Sequence, residues 1–467
     1  MNQGNDSASI ARVLIAASFA SCIVQLDLTI VNVALPSLAE YFGASISGLQ
    51  WVVDGYTLGF AALLLSAGTL ADRLGTKRLF MSGFAVLAAM SAASIFSQTI
   101  IQLNVFRIAQ GIAAALLLPT SLTLLRKSCE GNPKQLARVL GIWAAIGGAS
   151  LAAGPLVGGV LLSVVGWRGV FLVNLPICAA GLIIAYRGIP ARLDQAGSRR
   201  LDLKGQLLMI LALTSLISAA IEYRHLGFYH PFILGSVCVT VVACCAFVWT
   251  ERRTEAPMLP LTLFWDSRFT CPVVFGFLIN LSFSGVLFVL SLYLQKAHGY
   301  SAVQTGLAFL PLTTTFIFAN LAGGKIAARV GGRVVMIGGG LIAGAGYAAL
   351  CCLGQNSSIW QMVPGFVLIP AGMGAAVPAM TAILLSGVDG ASAGIASAVL
   401  STARQVGSAL GVAAFGVMVG NGEGANILTG MKPVMLTSAA LLVVAAVIAG
   451  ITTPETEGGL VTARTKA

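Results

Sequence analysis

The stretch GTLADRLGTKR, residues 68–78, sets four charged side chains around two glycines directly after the apolar run FAALLLSA (60–67). Only 9% of the chain is charged, so this density is unusual. A weaker copy, GKIAARVGGRV (324–334), follows 256 residues later and has Ala328 in place of Asp72. IAQGIAAA (108–115) likewise has a similar counterpart in IPAGMGAA (369–376). The matched order of these elements predicts a duplicated unit of several helices.

The composition indicates a polytopic membrane protein. Hydrophobic residues make up 57% of the 467-residue chain, and its mean hydropathy is +0.91. A bilayer favours helices of about 20 apolar residues because every backbone polar group is then paired internally. We therefore predict an all-α protein with fourteen transmembrane spans, near residues 12–35, 49–70, 79–98, 102–124, 138–162, 169–188, 204–222, 231–250, 268–295, 304–324, 334–354, 360–386, 393–420 and 433–452.

The basic residues indicate topology rather than a nucleic-acid partner. The net charge is +11, and with the N-terminus inside, cytoplasmic segments hold 21 of the 27 Lys and Arg residues. An excess of Lys and Arg in cytoplasmic loops is the general rule for membrane proteins. We expect both termini in the cytoplasm and no binding of nucleic acid.

Other features exclude several classes. The N-terminal segment MNQGNDSASIAR lacks the basic region and cleavage site of a secretory signal, so we expect the first span to be retained. The nine cysteines are mostly in apolar spans and show no ligand spacing with the three histidines, so we expect no metal site and no cofactor. The nucleophiles or cofactor loops of a membrane enzyme and the selectivity elements of a channel are also missing.

Several motifs together resemble one family. GTLADRLGTKR resembles the loop between helices 2 and 3 of the major facilitator superfamily. Further stretches resemble its fourteen-helix drug:proton antiporter family, in that family's order, from about residue 12 to residue 452: LDLTIVNVALP (26–36), RIAQG (107–111), GGASLAAGPLVGG (147–159) and WRGVFLVNLP (167–176). QWVVDGYTL (50–58) and TARQVGSALGV (402–412) are similar to methylenomycin-type antibiotic exporters.

The resemblance implies the major facilitator fold, with two six-helix bundles and two extra central helices. On this reading, residues 1–190 form the first bundle, and 191–262 form a linker with the two extra helices. Residues 263–455 form the second bundle, and 456–467 a cytoplasmic tail. Transporters built from related halves hold their substrate near the midplane between them.

Residues 68–78 are a candidate cytoplasmic gate. Gly68 and Gly75 would permit a tight turn and close approach of the backbones. Asp72 lies at the carbonyl end of its helix, where a negative charge is not stabilised, so we expect a partner elsewhere. The topology offers the amide end of span 13, near Ser392, and the resemblance implies the same latch. The cations Arg73, Lys77 and Arg78 would complete the network, or they act as topology determinants only.

The candidate proton-coupling residues are Asp27, Arg107 and Asp54. A charge near the bilayer centre costs about 2.5–3.5 kcal/mol on insertion scales, and such residues usually have a function. Burial and a nearby cation act in opposite directions on the proton affinity of a carboxyl group, so an Asp–Arg pair can load and release a proton. The alternative is a static clamp that only orients helices.

The stretch 147–159 has small residues at Gly147, Gly154, Gly158 and Gly159, with a kink predicted at Pro155. The family resemblance implies that this is the antiporter motif typical of exporters. Taken by itself, the stretch also fits ordinary close packing of membrane helices.

Polar stripes at helical spacing outline a candidate substrate cavity. On span 1 the stripe Ser21, Gln25, Thr29 and Asn32 lies opposite Asp27, so either the stripe or Asp27 faces a neighbouring helix, and both alternatives stay open. The candidate lining residues are Gln25, Asn32, Gln50, Gln110, Asn280, Ser284, Phe288 and Arg404. Each polar member could instead bond between helices.

Arg404 is a cation deep in span 13, and spans 9–14 contain no acidic residue. It must meet a carboxylate, a substrate anion or helix-end carbonyl groups. This favours a neutral, zwitterionic or acidic substrate over a quaternary ammonium compound.

These observations predict a proton-coupled exporter of small organic compounds in the bacterial inner membrane. We expect it to work as a monomer in the lipid bilayer, with protons and a small molecule as partners. A proton-coupled importer and a sensor with a transporter fold are the alternatives.

Overall fold

The structure, a computed structural model, describes residues 3–129, 132–190, 202–254, 257, 259–354, 357–388, 393–420 and 424–452. Of residues 3–9, 65, 72, 133–134, 137, 152, 224–225, 393, 424–426 and 452 it describes the backbone alone. The described residues are almost entirely helical and contain no β-strand.

Each of the fourteen predicted spans coincides with a helix or with two consecutive helices. The α-helices are α1 Gln3–Phe42, α2 Ile46–Leu74, α3 Thr76–Ile95, α4 Ile100–Ser128, α5 Pro133–Val165, α6 Gly169–Leu172, α7 Asn174–Gly188, α8 Leu203–Leu226, α9 Pro231–Arg253, α10 Ser267–Leu292, α11 Ala302–Ala308, α12 Leu310–Val330, α13 Gly332–Ala349, α14 Ile359–Ser386, α15 Ala393–Val419 and α16 Gly424–Thr452. A π-helical turn, Tyr293–Ala297, extends α10, and short 3-10 helices occupy Leu261–Trp265 and Leu350–Cys352.

α1 and α16 are longer than the predicted spans 12–35 and 433–452. Hydropathy marks only the apolar part of a membrane helix, while the helix itself continues through its polar ends. Among the described residues, twelve helical spans are long and apolar enough to cross a membrane. α5 is bent by 45° between its two halves, and it is a thirteenth span if the halves count as one. α2, with 29 residues, brings the helix count to the predicted fourteen.

Two glycines end equivalent helices in the same way. Gly75 joins α2 to α3 with φ 94°, and Gly331 joins α12 to α13 with φ 89°. Each donates its N–H to a carbonyl four residues earlier, Ala71 in the first case and Ala327 in the second. Only glycine adopts such positive φ angles without strain. The two turns stand at the spacing of the sequence repeat.

The helices form two six-helix bundles. α1–α5 with α6 and α7 make the first, and α10–α16 make the second. Glycines allow close contact within each bundle: a side chain at Gly111 of α4 would collide with the backbone of Tyr56 in α2, and one at Gly411 of α15 with that of Leu281 in α10. The exact boundaries at residues 190, 262 and 455 stay predictions.

The two extra helices pack as a pair, and α8 covers the seam between α2 and α15. Near one end of α8, the Gln206 side chain contacts Ser66 and the carbonyl oxygen of Ala62. Near its other end, the Glu222 carboxylate accepts hydrogen bonds from Ser47 at 2.6 Å and from Trp51 at 3.2 Å. Polar contacts therefore hold α8 to α2, whereas its contacts with α15 are apolar.

The bundles meet at the predicted external end. Gln50 of α2 donates to the carbonyl oxygens of Val412 and Ala413 in α15, at 3.0 and 2.9 Å. Gln295 donates to the carbonyl oxygen of Val33 in α1 at 3.0 Å.

The opposite half has open space at three glycines, one each in α2, α12 and α15. Gly68, Gly324 and Gly394 are exposed, and a Cβ atom added at any of them would have no described atom within 4 Å. Among the described residues, hydrogen bonds between the bundles therefore close the seam at the predicted external end.

Candidate functional site

A buried ion pair links α4 to α1 inside the first bundle. The Arg107 Nη1 atom lies 2.6 Å from Asp27 Oδ2, and the two side chains are 1% and 0% exposed. Arg107 also donates from Nε to the Val52 carbonyl oxygen at 2.9 Å. Its guanidinium group lies over the Tyr56 ring, 4.5 Å from the ring centre. These contacts hold the cation on several sides, as a buried charge requires.

The second oxygen of Asp27 has a partner that the sequence reasoning missed. Asn174, at the start of α7, donates from Nδ2 to Asp27 Oδ1 at 2.8 Å and to Ser91 Oγ at 3.0 Å. Gln110 accepts from Arg107 at 2.8 Å and donates to Ser91 at 2.9 Å, which closes the network. The available signal was an amide side chain in the otherwise apolar stretch VFLVNLP.

Both sides of α1 contact neighbouring helices in the structure. Asp27 faces α4 and α7 in the interior of the first bundle, while Ser21 and Thr29 on the opposite side donate to carbonyl oxygens of α5. The stripe and the carboxylate thus contact different helices, and both are packed laterally. Gln25, between Ser21 and Thr29, is partly exposed.

Asp54 is separate from this network. Its side chain is fully buried, and neither carboxylate oxygen has a hydrogen-bond partner among the described residues. One turn away, Gln50 reaches α15. Asp54 therefore lies near the contact between the bundles and not in the cluster around Arg107.

The stretch 147–159 forms the contact between α1 and α5. Pro155 has no N–H to donate to Leu151, four residues earlier, and the Thr29 hydroxyl donates to that carbonyl oxygen at 2.9 Å. Side chains at Gly147, Gly154 and Gly158 would collide with α1, and one at Gly159 would collide with Ala302 of α11 in the second bundle.

The residues of the 68–78 stretch are only partly brought together. Lys77 donates to the carbonyl oxygens of Tyr186 and Ile189 at the end of α7, at 3.0 and 2.6 Å. Arg73 and Arg78 are exposed. A Cβ atom added at Gly68 would meet no described atom within 4 Å, and the close approach expected there stays a prediction. The Asp72 side chain and Ser392 lie outside the described residues, so the latch stays a prediction.

The candidate cavity residues divide by exposure. Gln50, Gln110, Asn32 and Phe288 are buried, and the amide of Asn32 bonds to carbonyl groups of its own helix. Partly exposed are Gln25, Asn280, Ser284 and Arg404. Asn280 donates to the Gly276 carbonyl oxygen at 2.9 Å, and Ser284 receives a hydrogen bond from Ser408 at 2.6 Å. Half of the eight candidates therefore retain some accessible surface.

Comparison with known proteins identifies the family. Residues 17–412 match the Major Facilitator Superfamily. The chain belongs to this superfamily. It is 37% identical over 421 residues to the Methylenomycin A resistance protein of Bacillus subtilis, with 89% of both chains covered. It is also 37% identical over 394 residues to the protein of the same name from Streptomyces coelicolor, with 84% of this chain and 82% of that one covered.

A solved structure supports the major facilitator fold. The crystal structure of a bacterial homologue of the human lysosomal transporter Spinster superimposes with a TM-score of 0.67. The match covers 97% of this chain and 98% of that chain at 17% sequence identity. The predicted fold class is confirmed, and the chain is a multi-pass membrane protein of a transporter superfamily rather than an enzyme.

Proposed function

We propose that this protein is a proton-coupled antiporter that exports small organic compounds across the bacterial inner membrane. Its similarity to two proteins named for antibiotic resistance supports export. In this proposal a compound enters from the cytoplasmic end near Gly68, Gly324 and Gly394, where the excess of basic residues leads us to expect both termini as well. Rocking of one bundle against the other would then open the other end.

The observation that carries proton coupling is the environment of Asp54. A carboxylate buried in a membrane protein without hydrogen-bond donors is costly, so the neutral, protonated acid suits this position. Because Asp54 is close to the inter-bundle contact of Gln50, opening the external end would bring water to it. Asp54 can then exchange its proton with one side of the membrane at a time.

Asp27 and Arg107 have a different part in this proposal. Their charges balance each other, and Asn174 occupies the second carboxylate oxygen of Asp27. A proton could reach Asp27 only if this network rearranges. We therefore assign Asp54 as the first proton carrier and the Asp27–Arg107 pair as a second site whose proton exchange requires movement of α4 or α7.

The test uses purified protein in proteoliposomes with a pH-sensitive dye inside and an imposed proton gradient. The first compound is methylenomycin A, because two relatives are named Methylenomycin A resistance protein. In the wild type we expect proton movement that depends on the compound. Asp54→Asn should abolish this movement. The control Glu40→Gln, which changes an exposed acid, should retain it. Asp27→Asn reports on the second site.

Three outcomes contradict parts of the proposal. Equal responses of wild type and Asp54→Asn would remove Asp54 from the coupling step. Proton movement in the same direction as the compound would indicate import. No movement of protons or radiolabelled compound, across a panel of antibiotics, would leave a sensor as the better reading.

A further inference from the structure

Arg404, at the middle of α15, is a cation without a partner among the described residues. It is the twelfth residue of a 27-residue helix, so about 16 Å of helix separate it from the end at Ala393. Its Nε atom is buried without a hydrogen-bond partner. No described residue forms an ion pair or a hydrogen bond with its guanidinium group.

The stem of Arg404 is held firmly although its charge is not paired. A Cβ atom added at Gly276 of α10 would lie 3.2 Å from Arg404 Cγ and 2.9 Å from Leu400 Cδ1. Gly407 and Gly411, on the same face of α15, touch the α10 backbone. The Arg404 stem therefore packs at the contact between α10 and α15. Arg404 is partly exposed, as are Asn280 and Ser284 of α10.

Nothing in the membrane interior of the second bundle neutralises this charge. The helices α10–α16 contain no acidic residue. In the first bundle, Asp27 is already paired with Arg107, and Asp54 forms no ion pair with Arg404. An arginine does not lose its proton in a protein, so the positive charge persists throughout a transport cycle.

Acceptor and donor groups adjoin the cation. Gln405 follows Arg404, and its Oε1 atom is also buried without a partner. Ser408, one turn further, is bonded to Ser284 across the contact with α10. The residues at 401, 404, 405 and 408 share one face of the helix. This face therefore carries two polar atoms, Arg404 Nε and Gln405 Oε1, that are buried without a partner among the described residues.

We propose that Arg404 binds the carboxylate group of the transported compound, so that the substrates are organic acids. The guanidinium fork matches a carboxylate with two parallel hydrogen bonds, and the partly desolvated site strengthens them. Gln405 is placed to accept a hydrogen bond from a hydroxyl or amine next to that carboxylate. The inference deepens the proposed export function and rests on it only in calling the bound acid a substrate. The binding site itself does not depend on transport.

The test is isothermal titration calorimetry on purified protein in detergent at pH 7, with three probes that share a naphthalene ring. The probes are naphthoate, its methyl ester and naphthylmethyl-trimethylammonium, which differ in charge. Expected for the wild type is binding of naphthoate about tenfold tighter than of the ester, as a charge-assisted hydrogen bond provides, and no preference for the cation. Arg404→Gln should remove that ratio, and Arg404→Lys should keep part of it.

Arg268→Gln is the matched control because it removes the same charge from an exposed position at the start of α10. It should bind all three probes as the wild type does. Thermal unfolding of each variant shows whether a loss of binding reflects loss of the fold. If Arg404→Gln unfolds, Gly276→Ala, which keeps the charge and displaces its stem, should weaken naphthoate binding instead.

Several results would overturn the inference. The wild type could fail to bind naphthoate, or it could bind the ester or the cation more tightly than naphthoate. A folded Arg404→Gln variant could also keep the wild-type ratio of naphthoate to ester affinity. Because no proton gradient is present, binding can succeed while the antiport assay fails, which would refute export alone. Conversely, proton exchange driven by a cationic compound would leave export standing and refute the carboxylate site.

Discussion

Thr29 of α1 donates its hydroxyl hydrogen to the carbonyl oxygen of Leu151 in α5, at 2.9 Å, and Leu151 stands four residues before Pro155. In an uninterrupted helix, the amide of residue 155 would fill this role. The kink that proline imposes is thus stabilised from a neighbouring helix. The bend of α5 and the polar stripe of α1 are two parts of one contact.

Thr29→Val should destabilise the protein because it leaves the Leu151 carbonyl oxygen without a donor and changes the shape of the side chain little. The expected loss in free energy of unfolding is about 1 kcal/mol, typical of hydrogen bonds between membrane helices. Thermal unfolding in detergent measures it. Thr29→Ser retains the hydroxyl and should stay closer to the wild type; equal losses in both variants would show that the hydrogen bond is not the cause.

Gly154→Ala should separate α1 from α5, because its Cβ atom would collide with the Thr29 side chain and the Ile30 amide. Overpacking of this kind costs about 1–3 kcal/mol. Gly148→Ala is the control, since a Cβ atom at Gly148 would meet no described atom within 4 Å. Transport rates and unfolding temperatures of the two variants should differ clearly; similar values would contradict the packing seen here.

Arg107→Gln should be strongly destabilising because it leaves the Asp27 carboxylate buried and uncompensated. Removing one partner of a buried pair costs about 3–5 kcal/mol. The double variant Asp27→Asn, Arg107→Gln should recover part of that loss, since it removes both charges. A complete double-mutant cycle in chemical unfolding measures the coupling, and additive losses would mean that the two side chains stabilise the bundle independently.

Gln50→Leu should loosen the closed end of the seam because it removes both hydrogen bonds to the α15 backbone. Spin labels at the exposed positions Tyr41 and Lys296, in a protein whose native cysteines are replaced, should show a broader distance distribution with longer distances. Thr57→Val is the control, because the Thr57 hydroxyl bonds only to Val53 in its own helix. An unchanged distribution in Gln50→Leu would show that apolar contacts hold this end closed.

Lys77→Met should destabilise the first bundle, whereas Arg73→Met should not. Lys77 binds two carbonyl oxygens at the end of α7, and Arg73 is exposed without a described partner. The expected cost for Lys77→Met is about 1–3 kcal/mol, as for a hydrogen bond to a charged group. Reduced transport by a stable Arg73→Met variant would support a gate, and full activity would leave Arg73 as a topology determinant.

Much of the architecture was predictable because hydropathy acts along a single helix. The fourteen spans, the turns at Gly75 and Gly331 and the need of Asp27 and Arg107 for partners can be inferred without neighbouring helices. Asn174 and Ser91 escaped notice because a single small polar residue in a span is common, and its significance depends on what faces it. The same limit applied to Gln110, which has the spacing of a cavity residue and lies inside the buried network.

The amino-acid sequence by itself determined the membrane class, the number and order of the helices and the family, since apolar length and short motifs are local properties. Only the tertiary structure decided the rotation of each helix about its axis. That rotation turns Asp27 toward Arg107, separates Asp54 from both and leaves Arg404 without an acid. The physical reason is that side-chain contacts between helices fix such rotations, and these contacts join residues far apart in the chain.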